Sequence, residues 1–289
     1  MPLARDLSKT WSFYEGDWHE GNLPIMGVRT HAALFCSSVF DGARTFEGVT
    51  PDLDLHCQRV NASAKAMMLD PVCSAENWEG LTRDGIKKFG ADAALYIRPT
   101  YWAESSGRLM IAPDPDSTQW CLTIYEAPMR APEGMSITLS PFRKPTAETM
   151  PLDAKAGCLY PNNARALVEA NQRGFMMPVM RDALGNVAEF ASANLFMAKD
   201  GVVFTPAPNG TFLNGITRQR VISLLRGDGV DVVETTLSYA DLETADEIFS
   251  SGNYSKVMPV NRIDARSMQP GPLCRKARDL YWAYAHASA

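Results

Sequence analysis

The amino-acid sequence predicts a mixed α/β fold in two halves, and three features of the chain carry that prediction. Some segments space their apolar residues as helices do, whereas others alternate or form short apolar runs as strands do. Between the two halves, residues 127–134 contain two prolines and a glycine, a composition typical of a linker. We therefore predict an N-terminal α/β domain over residues 1–127, a connector over 128–134 and a C-terminal domain over 135–289.

The N-terminal half is predicted to contain a helix followed by two strands. Residues 55–68 have helical spacing, because Val60 and Ala64 recur four residues apart on one face. Residues 91–101 include an alternating apolar pattern, and residues 120–125 form a short run of strand-forming residues. These segments supply the helix and the two strands.

The C-terminal half is predicted to mix helices with short strands. Two segments, residues 162–173 and 217–225, have the apolar spacing of helices. Three segments have the length and composition of strands, namely residues 175–180, 186–188 and 194–198. No internal repeat and no low-complexity segment interrupts the chain.

Composition and charge exclude several classes of function. A net charge of -5 argues against a general binder of nucleic acid or of membrane surfaces, which would need a basic face. The first 21 residues lack the apolar core of a signal peptide, and no apolar run reaches the roughly 20 residues that span a bilayer. Six scattered cysteines without a Cys-x-x-Cys pair are typical of reduced thiols. We expect a cytoplasmic protein with no nucleic-acid and no membrane partner.

The acidic residues do not favour a metal-dependent hydrolase. Such a centre needs histidines or paired carboxylates, and the four histidines are widely spread. The carboxylates near the C-terminal end, from Asp241 to Glu247, are expected to form a solvated helix face. We expect no metal site.

Lys155 and Glu189 are the most informative pair of residues. Lys155 lies among small residues, and a lysine that loses hydration becomes a nucleophile toward carbonyls. Glu189 is a lone carboxylate in an apolar run, and a protonated pyridine nitrogen is one partner that would suit it. Together they suggest pyridoxal 5'-phosphate (PLP). The alternative is that Lys155 extends from a loop into solvent and that Glu189 pairs locally.

A glycine-containing loop could bind the phosphate of such a cofactor. Asn214–Thr217 directly precedes a predicted helix, whose first N–H groups and dipole favour an anion. The alternative is an ordinary N-cap formed by Asn214 or Thr217. Taken alone, Arg59 is a solvated helix arginine.

Six segments in this order resemble the PLP-dependent transaminases of fold type IV (class IV), most of all the branched-chain amino acid aminotransferases. The resemblance runs from about Thr30 to about Pro272. The segments are Ser38–Arg44, Gln58–Val60, Tyr96–Pro99, Lys155–Gly157, Asn214–Arg218 and Ala245–Gly252.

The resemblance implies an architecture and an assembly. The fold would be a small N-terminal α/β domain plus a larger C-terminal pseudo-barrel domain, with PLP in the cleft between them. The unit would be a homodimer or a higher homo-oligomer, in which each active site borrows residues from the neighbouring chain.

The resemblance also implies the site residues. Lys155 would be the catalytic residue that holds PLP as a Schiff base. The cofactor-binding residues would be Arg59, Lys155, Tyr160, Glu189, Gly215, Ile216, Thr217, Gly252 and Asn253. The substrate-binding residues would be Phe35, Phe40, Arg44, Tyr96, Arg98, Asn253 and Tyr254.

The implied activity is a ping-pong, Schiff-base transfer of an amino group between a branched-chain or hydrophobic amino acid and 2-oxoglutarate. Amino acids and 2-oxo acids would be the small-molecule partners. A D-amino acid transaminase, an (R)-amine transaminase, an aminodeoxychorismate lyase and a PLP binder without turnover are the alternatives. Three residues depart from the branched-chain pattern: Phe35 replaces a tyrosine, Asp41 a glutamate and Asn253 a threonine.

Overall fold

The computed structural model describes residues 7–287, which separate into two compact units. The first unit contains the residues up to Met129 together with Ala154–Cys158. The second contains Arg130–Asp153 and the residues from Leu159 onward. The segment that carries Lys155 therefore makes its contacts within the first unit, although it lies in the second half of the sequence.

The first unit is an antiparallel sheet covered by helices, in the strand order β2-β1-β6-β5-β3, with β4 also pairing with β5. Its strands are β1 (Thr10–Tyr14), β2 (Asp17–Glu20), β3 (Ser38–Phe40), β4 (Ala43–Thr45), β5 (Leu95–Ala103) and β6 (Thr118–Glu126). Its helices are α1 (His31–Phe35), α2 (Leu53–Ala66) and α3 (Ala75–Ile86).

The predicted elements of the first unit are present with shifted ends. The strand predicted from Ala91 begins instead at Leu95, because Gly90–Ala93 form a turn closed by a hydrogen bond between those two residues. Tyr101 is the more deeply buried of the two tyrosines of β5, and its hydroxyl connects two other segments of the core. That hydroxyl accepts a hydrogen bond from Trp78 Nε1 (3.1 Å) and donates to the Cys73 carbonyl (2.9 Å).

The second unit is a mixed sheet in the strand order β12-β11-β10-β13-β14-β7-β8-β9, with β15 pairing with β14. Its strands are β7 (Met135–Arg143), β8 (Met177–Arg181), β9 (Val187–Phe190), β10 (Asn194–Lys199), β11 (Val202–Pro206), β12 (Val232–Thr235), β13 (Glu247–Gly252), β14 (Lys256–Ile263) and β15 (Arg266–Ser267). Its helices are α4 (Tyr160–Gln172), α5 (Ile216–Gly227), α6 (Tyr239–Glu243) and α7 (Pro272–Ala287).

The sheet of the second unit curls so that its last strand approaches its middle. A tight turn, in which Phe190 N–H donates to the Ala193 carbonyl (2.9 Å), connects β9 to β10. Ile137, Val179 and Leu195 are fully buried in the apolar cluster that fills the curl. The mixed α/β prediction is confirmed, and the curl brings residues of β9, β10 and β13 close together.

The expectation that the acidic stretch is a solvated helix face is wrong for one residue. Asp241, Glu243 and Asp246 are exposed, but Glu247 is buried at the start of β13. Its carboxylate accepts hydrogen bonds from the backbone N–H groups of Leu273 (3.0 Å) and Cys274 (2.8 Å). Glu247 therefore satisfies the first-turn donors of α7, a tertiary contact that local sequence does not reveal.

No helix within residues 7–287 is both long and apolar enough to cross a membrane.

Two glycines of α3 provide a matched test of the packing in the first unit. A Cβ on Gly85 would overlap the Trp18 ring and Ile124, whereas a Cβ on the exposed Gly80 would meet nothing within 4 Å. We expect Gly85→Ala to destabilise the protein by about 1–3 kcal/mol through overpacking. We expect Gly80→Ala to stabilise it by up to about 1 kcal/mol through helix propensity. Urea unfolding measures both, and equal shifts would contradict the packing described here.

Candidate active site

The backbone of Lys155 is clamped by two elements of the first unit. Its carbonyl accepts a hydrogen bond from the Phe40 N–H (3.1 Å), and its own N–H donates to Ser63 Oγ on α2 (3.0 Å). The next residue, Ala156, forms a β-bridge with Val39. The lysine is thus fixed at the end of β3 by sequence-distant partners.

An aromatic ring lies beside the Lys155 amine. Nζ is 5.1 Å from the centroid of the Phe40 ring, and Phe40 is buried. The guanidinium carbon of Arg98 lies 3.7 Å from the same centroid. An amine, a second cation and an apolar ring are therefore grouped in one place, as cation–π contacts permit.

The guanidinium of Arg59 is held by a buried carboxylate. Asp41 is fully buried and accepts hydrogen bonds from Arg59 Nε (2.6 Å) and Nη2 (2.8 Å), and it also contacts His56 Nδ1 (2.7 Å). Burial by itself raises the pKa of the Asp41 carboxyl, but Arg59 and His56 outweigh burial and hold that pKa well below its usual range. Arg59 is therefore an oriented arginine and not the solvated helix arginine that its local sequence indicates. Its contact with a phosphate stays a prediction.

The remaining substrate residues predicted in the first unit lie in different surroundings. Tyr96 and Arg98 share the less buried face of β5, as their spacing requires. Arg44 is fully buried, donates to the Ala127 carbonyl (2.6 Å) and lies 5.9 Å from the Tyr96 ring. Phe35 is 48% exposed on α1, and its ring contacts His31.

In the second unit, Glu189 has a cationic partner that the sequence did not indicate. Lys144 Nζ lies 2.7 Å from Glu189 Oε1, and both side chains are buried. The ammonium stabilises the carboxylate anion. The two residues are 45 positions apart and meet because β7, β8 and β9 are neighbours in the sheet. A buried carboxylate is itself a signal that a partner exists, but nothing in a single sequence says which lysine it is.

Asn194 connects Glu189 to the glycine-containing loop. Its Nδ2 donates to Glu189 Oε2 (3.1 Å) and to the Leu213 carbonyl (3.0 Å). A Cβ at Gly215 would overlap Asn194 Oδ1, so that only glycine fits at this position. The carboxylate and the loop are therefore parts of one hydrogen-bonded arrangement.

The start of α5 is not capped in the ordinary way. Gly215 is the N-cap residue and supplies no side-chain cap, and neither Asn214 nor Thr217 takes that position. Asn214 Oδ1 accepts instead from Arg218 Nη1 (2.8 Å). The first N–H groups of a helix have no partner within the helix, so those at the start of α5, around the buried Ile216 and Thr217, suit an anionic acceptor.

The turn after β13 lies next to this arrangement. Ser251 pairs with Asn194 in the β10–β13 ladder. Within residues 7–287, the buried Ser251 Oγ and Asn253 Nδ2 atoms have no hydrogen-bond partner. A Cβ on Gly252 would meet the Ala193 side chain at 3.4 Å, and Tyr254 is 54% exposed. Tyr160, at the start of α4, is 37% exposed.

Comparison with known proteins decides the family. The profile of the class IV aminotransferases matches residues 38–263, most of the chain. The chain belongs to the class IV aminotransferases. A branched-chain-amino-acid aminotransferase of Escherichia coli (strain K12) is 29% identical to it over 92% of this chain and 88% of its own length. A putative branched-chain-amino-acid aminotransferase of Methanocaldococcus jannaschii is 31% identical over 89% of this chain and 90% of its own length.

A solved structure extends the comparison to the fold and the cofactor. The crystal structure of an aminotransferase from Brucella abortus bound to PLP has a TM-score of 0.95 and 53% identity to this aminotransferase. The match covers 96% of this chain and 99% of that chain. The predicted fold type IV and the predicted cofactor, PLP, are both confirmed.

The residues of this aminotransferase fit PLP chemically. The cofactor's phosphate needs N–H and O–H donors, and the second unit offers the uncapped start of α5 and the unpartnered Ser251 Oγ. Its protonated pyridine nitrogen needs an acceptor, for which the Glu189 carboxylate is suited. Its aldehyde needs an amine, for which Lys155 is suited.

Asp41 supports a test of the buried charge cluster. We expect Asp41→Asn to destabilise the protein by about 3–5 kcal/mol, because it leaves the Arg59 charge poorly compensated. Since the folded-state pKa of Asp41 is lowered, its contribution is fully present above the unfolded pKa of about 3.9 and is lost as the pH falls further. Urea unfolding at neutral pH measures the loss.

The control is Asp84→Asn. Asp84 forms an exposed ion pair with Lys87 (2.8 Å), so its loss should change stability by less than about 0.5 kcal/mol. Similar losses in the two variants would show that the Asp41 cluster is not a special constraint.

Proposed function

We propose that this aminotransferase moves an amino group between a branched-chain or hydrophobic amino acid and 2-oxoglutarate. The observation that carries the proposal is the grouping of Phe40, Arg98 and Lys155 in the first unit. The buried Phe40 ring suits the side chain of leucine, isoleucine or valine. The Arg98 guanidinium suits a carboxylate, including the distal carboxylate of 2-oxoglutarate. The names of the Escherichia coli and Methanocaldococcus jannaschii relatives support the same substrate class.

Lys155 has two tasks in this proposal. When bound, PLP supplies an aldehyde that takes up the amino group and a protonated ring that withdraws electrons. Lys155 Nζ would hold the cofactor through its aldehyde carbon. Once displaced by the amino acid, the Lys155 amine would take the proton from the substrate Cα as a general base and deliver it, as a general acid, to the carbon that carried the aldehyde; the same residue would serve the reverse reaction of the 2-oxo acid. The clamped Lys155 backbone limits the positions that the amine can reach.

The other residues hold charge and orientation. Glu189, supported by Lys144 and Asn194, would accept a hydrogen bond from the protonated pyridine nitrogen. Arg59, Gly252 and the backbone at Gly215, Ile216 and Thr217 would bind the phosphate. Asn253 would contact the phosphate or the substrate carboxylate. Tyr160 would donate a hydrogen bond to the phenolic oxygen of the cofactor. Arg44, Tyr96, Phe35 and Tyr254 line the substrate pocket.

The enzyme works in the cytoplasm as a homodimer in this proposal. An exposed apolar group in the first unit supports association, because such groups mark protein interfaces. Its members are Leu34, Leu109, Met110 and Ile111, and the Ile111 carbonyl contacts His31 Nε2 of α1 (3.1 Å). Light scattering should give about twice the chain mass of 31.8 kDa. A mass of one chain would contradict the homodimer.

The substrate is tested by the two half-reactions. L-leucine, added to the PLP-loaded enzyme, should convert the absorbance of the aldehyde form into that of the aminated form, and 2-oxoglutarate should restore it. Lys155→Ala should slow both steps by about 10²–10⁴-fold or more, because the general base is lost. Lys87→Ala, at an exposed lysine paired with Asp84, is the control and should react as the wild type does.

Each other outcome has a clear meaning. A spectrum that responds to D-amino acids, (R)-amines or aminodeoxychorismate but not to L-leucine would replace the substrate class and keep the family. Wild-type rates in Lys155→Ala would remove Lys155 from the chemistry.

A further inference from the structure

Asn253 and Lys256 form a contact that reaches across the turn between β13 and β14. Lys256 Nζ lies 2.7 Å from Asn253 Oδ1. Lys256 is 1% exposed, and its amine also lies 5.6 Å from the centroid of the Tyr281 ring of α7. A buried ammonium group requires hydrogen-bond acceptors, and the Asn253 carbonyl oxygen is one of them.

This contact decides which way the Asn253 amide faces. An ammonium group only donates, so that the oxygen of the amide, and never its nitrogen, can face Lys256. The two ends of an amide are otherwise difficult to distinguish, but here chemistry assigns them. The Nδ2 end must therefore point away from Lys256.

The Nδ2 end of the amide is a hydrogen-bond donor that needs an acceptor. It is buried and has no hydrogen-bond partner in the part of the chain that the structure describes, and the same holds for Ser251 Oγ two residues earlier. Buried polar groups are almost always satisfied, so unpartnered donors at a turn indicate a ligand that brings acceptors. Ser251 is paired with Asn194, which contacts both Glu189 and the loop at Gly215. The two donors thus belong to the cofactor side of the second unit.

We propose that Lys256 is a positioning residue that turns the Asn253 amide so that its Nδ2 donates to an anionic oxygen of a bound ligand. The inference rests on the proposed function. The anion is either the phosphate of the cofactor or the carboxylate of the substrate, since both present the same oxygen acceptors. A threonine hydroxyl can rotate to donate to an anion, whereas an amide can present either its oxygen or its nitrogen. Lys256 excludes the orientation in which the amide oxygen would face the anion.

Two substitutions test the Asn253 donor and the Lys256 contact that positions it. Asn253→Asp has the same shape but replaces the donor by an oxygen, and Lys256→Met removes the ammonium while keeping a similar length. Two constants are measured: the dissociation constant of PLP from the apoenzyme, by fluorescence titration, and the apparent dissociation constant of L-leucine at saturating PLP. We expect both variants to weaken the same constant by about 10- to 150-fold, the range for a hydrogen bond to a charged group.

The two constants identify the anion. A weaker PLP constant with an unchanged L-leucine constant assigns the amide to the phosphate, and the reverse assigns it to the substrate carboxylate. Should the enzyme not accept L-leucine, the PLP titration and a second titration with the amino acid that it does accept keep the two proposals separate.

A double-mutant cycle separates positioning from direct binding. If Lys256 acts through Asn253, Lys256→Met should have almost no further effect in an Asn253→Ala background. Lys276→Met is the control, because Lys276 is a partly exposed lysine of α7 paired with Asp228 (2.6 Å), and it should leave both constants unchanged.

Two results would overturn the inference. One is wild-type affinity for both PLP and the amino acid in Asn253→Asp, a variant whose matched shape preserves folding. The other is an equal effect of Lys256→Met with and without the Asn253 side chain.

Discussion

The hydrogen bonds of Asn194 are the constraint on which the arrangement of Glu189, the loop at Gly215 and the turn after β13 depends. One amide nitrogen joins the Glu189 carboxylate to the Leu213 carbonyl, while the oxygen of the same amide excludes any side chain at Gly215. Because Asn194 also pairs with Ser251 in the sheet, the turn after β13 is held in register with the other two segments. Three segments distant in sequence, around Asn194, Leu213 and Ser251, are thus connected through one residue.

In each unit, a buried carboxylate is surrounded by hydrogen-bonding or cationic partners. Asp41 is enclosed by Arg59 and His56, and Glu189 by Lys144 and Asn194. An ionised group in a protein interior is tolerated only with such partners, and the partners in turn lose their freedom to move. In each unit, the result is a charged group that its partners already hold in one orientation.

Residues whose chemistry is unusual for their surroundings could be predicted as site residues from the sequence. Lys155 among small residues, Glu189 in an apolar run and the glycine before α5 all stand out locally. The eight predicted helices and strands each match an element to within a few residues, but the other elements were not predicted. Lys144 and Lys256 did not stand out. Each is an ordinary lysine in its own segment, and each acquires its role from a partner on another strand or across a turn.

By itself, the sequence determined the mixed α/β class, the resemblance to one aminotransferase family and the chemical types of the reacting groups, because these follow from local periodicity and residue identity. Only the tertiary structure decided which charges pair, which glycine must lack a Cβ and which end of the Asn253 amide is free to donate. Those outcomes depend on distances between sequence-distant atoms, and a curled sheet sets such distances through the pairing of its strands.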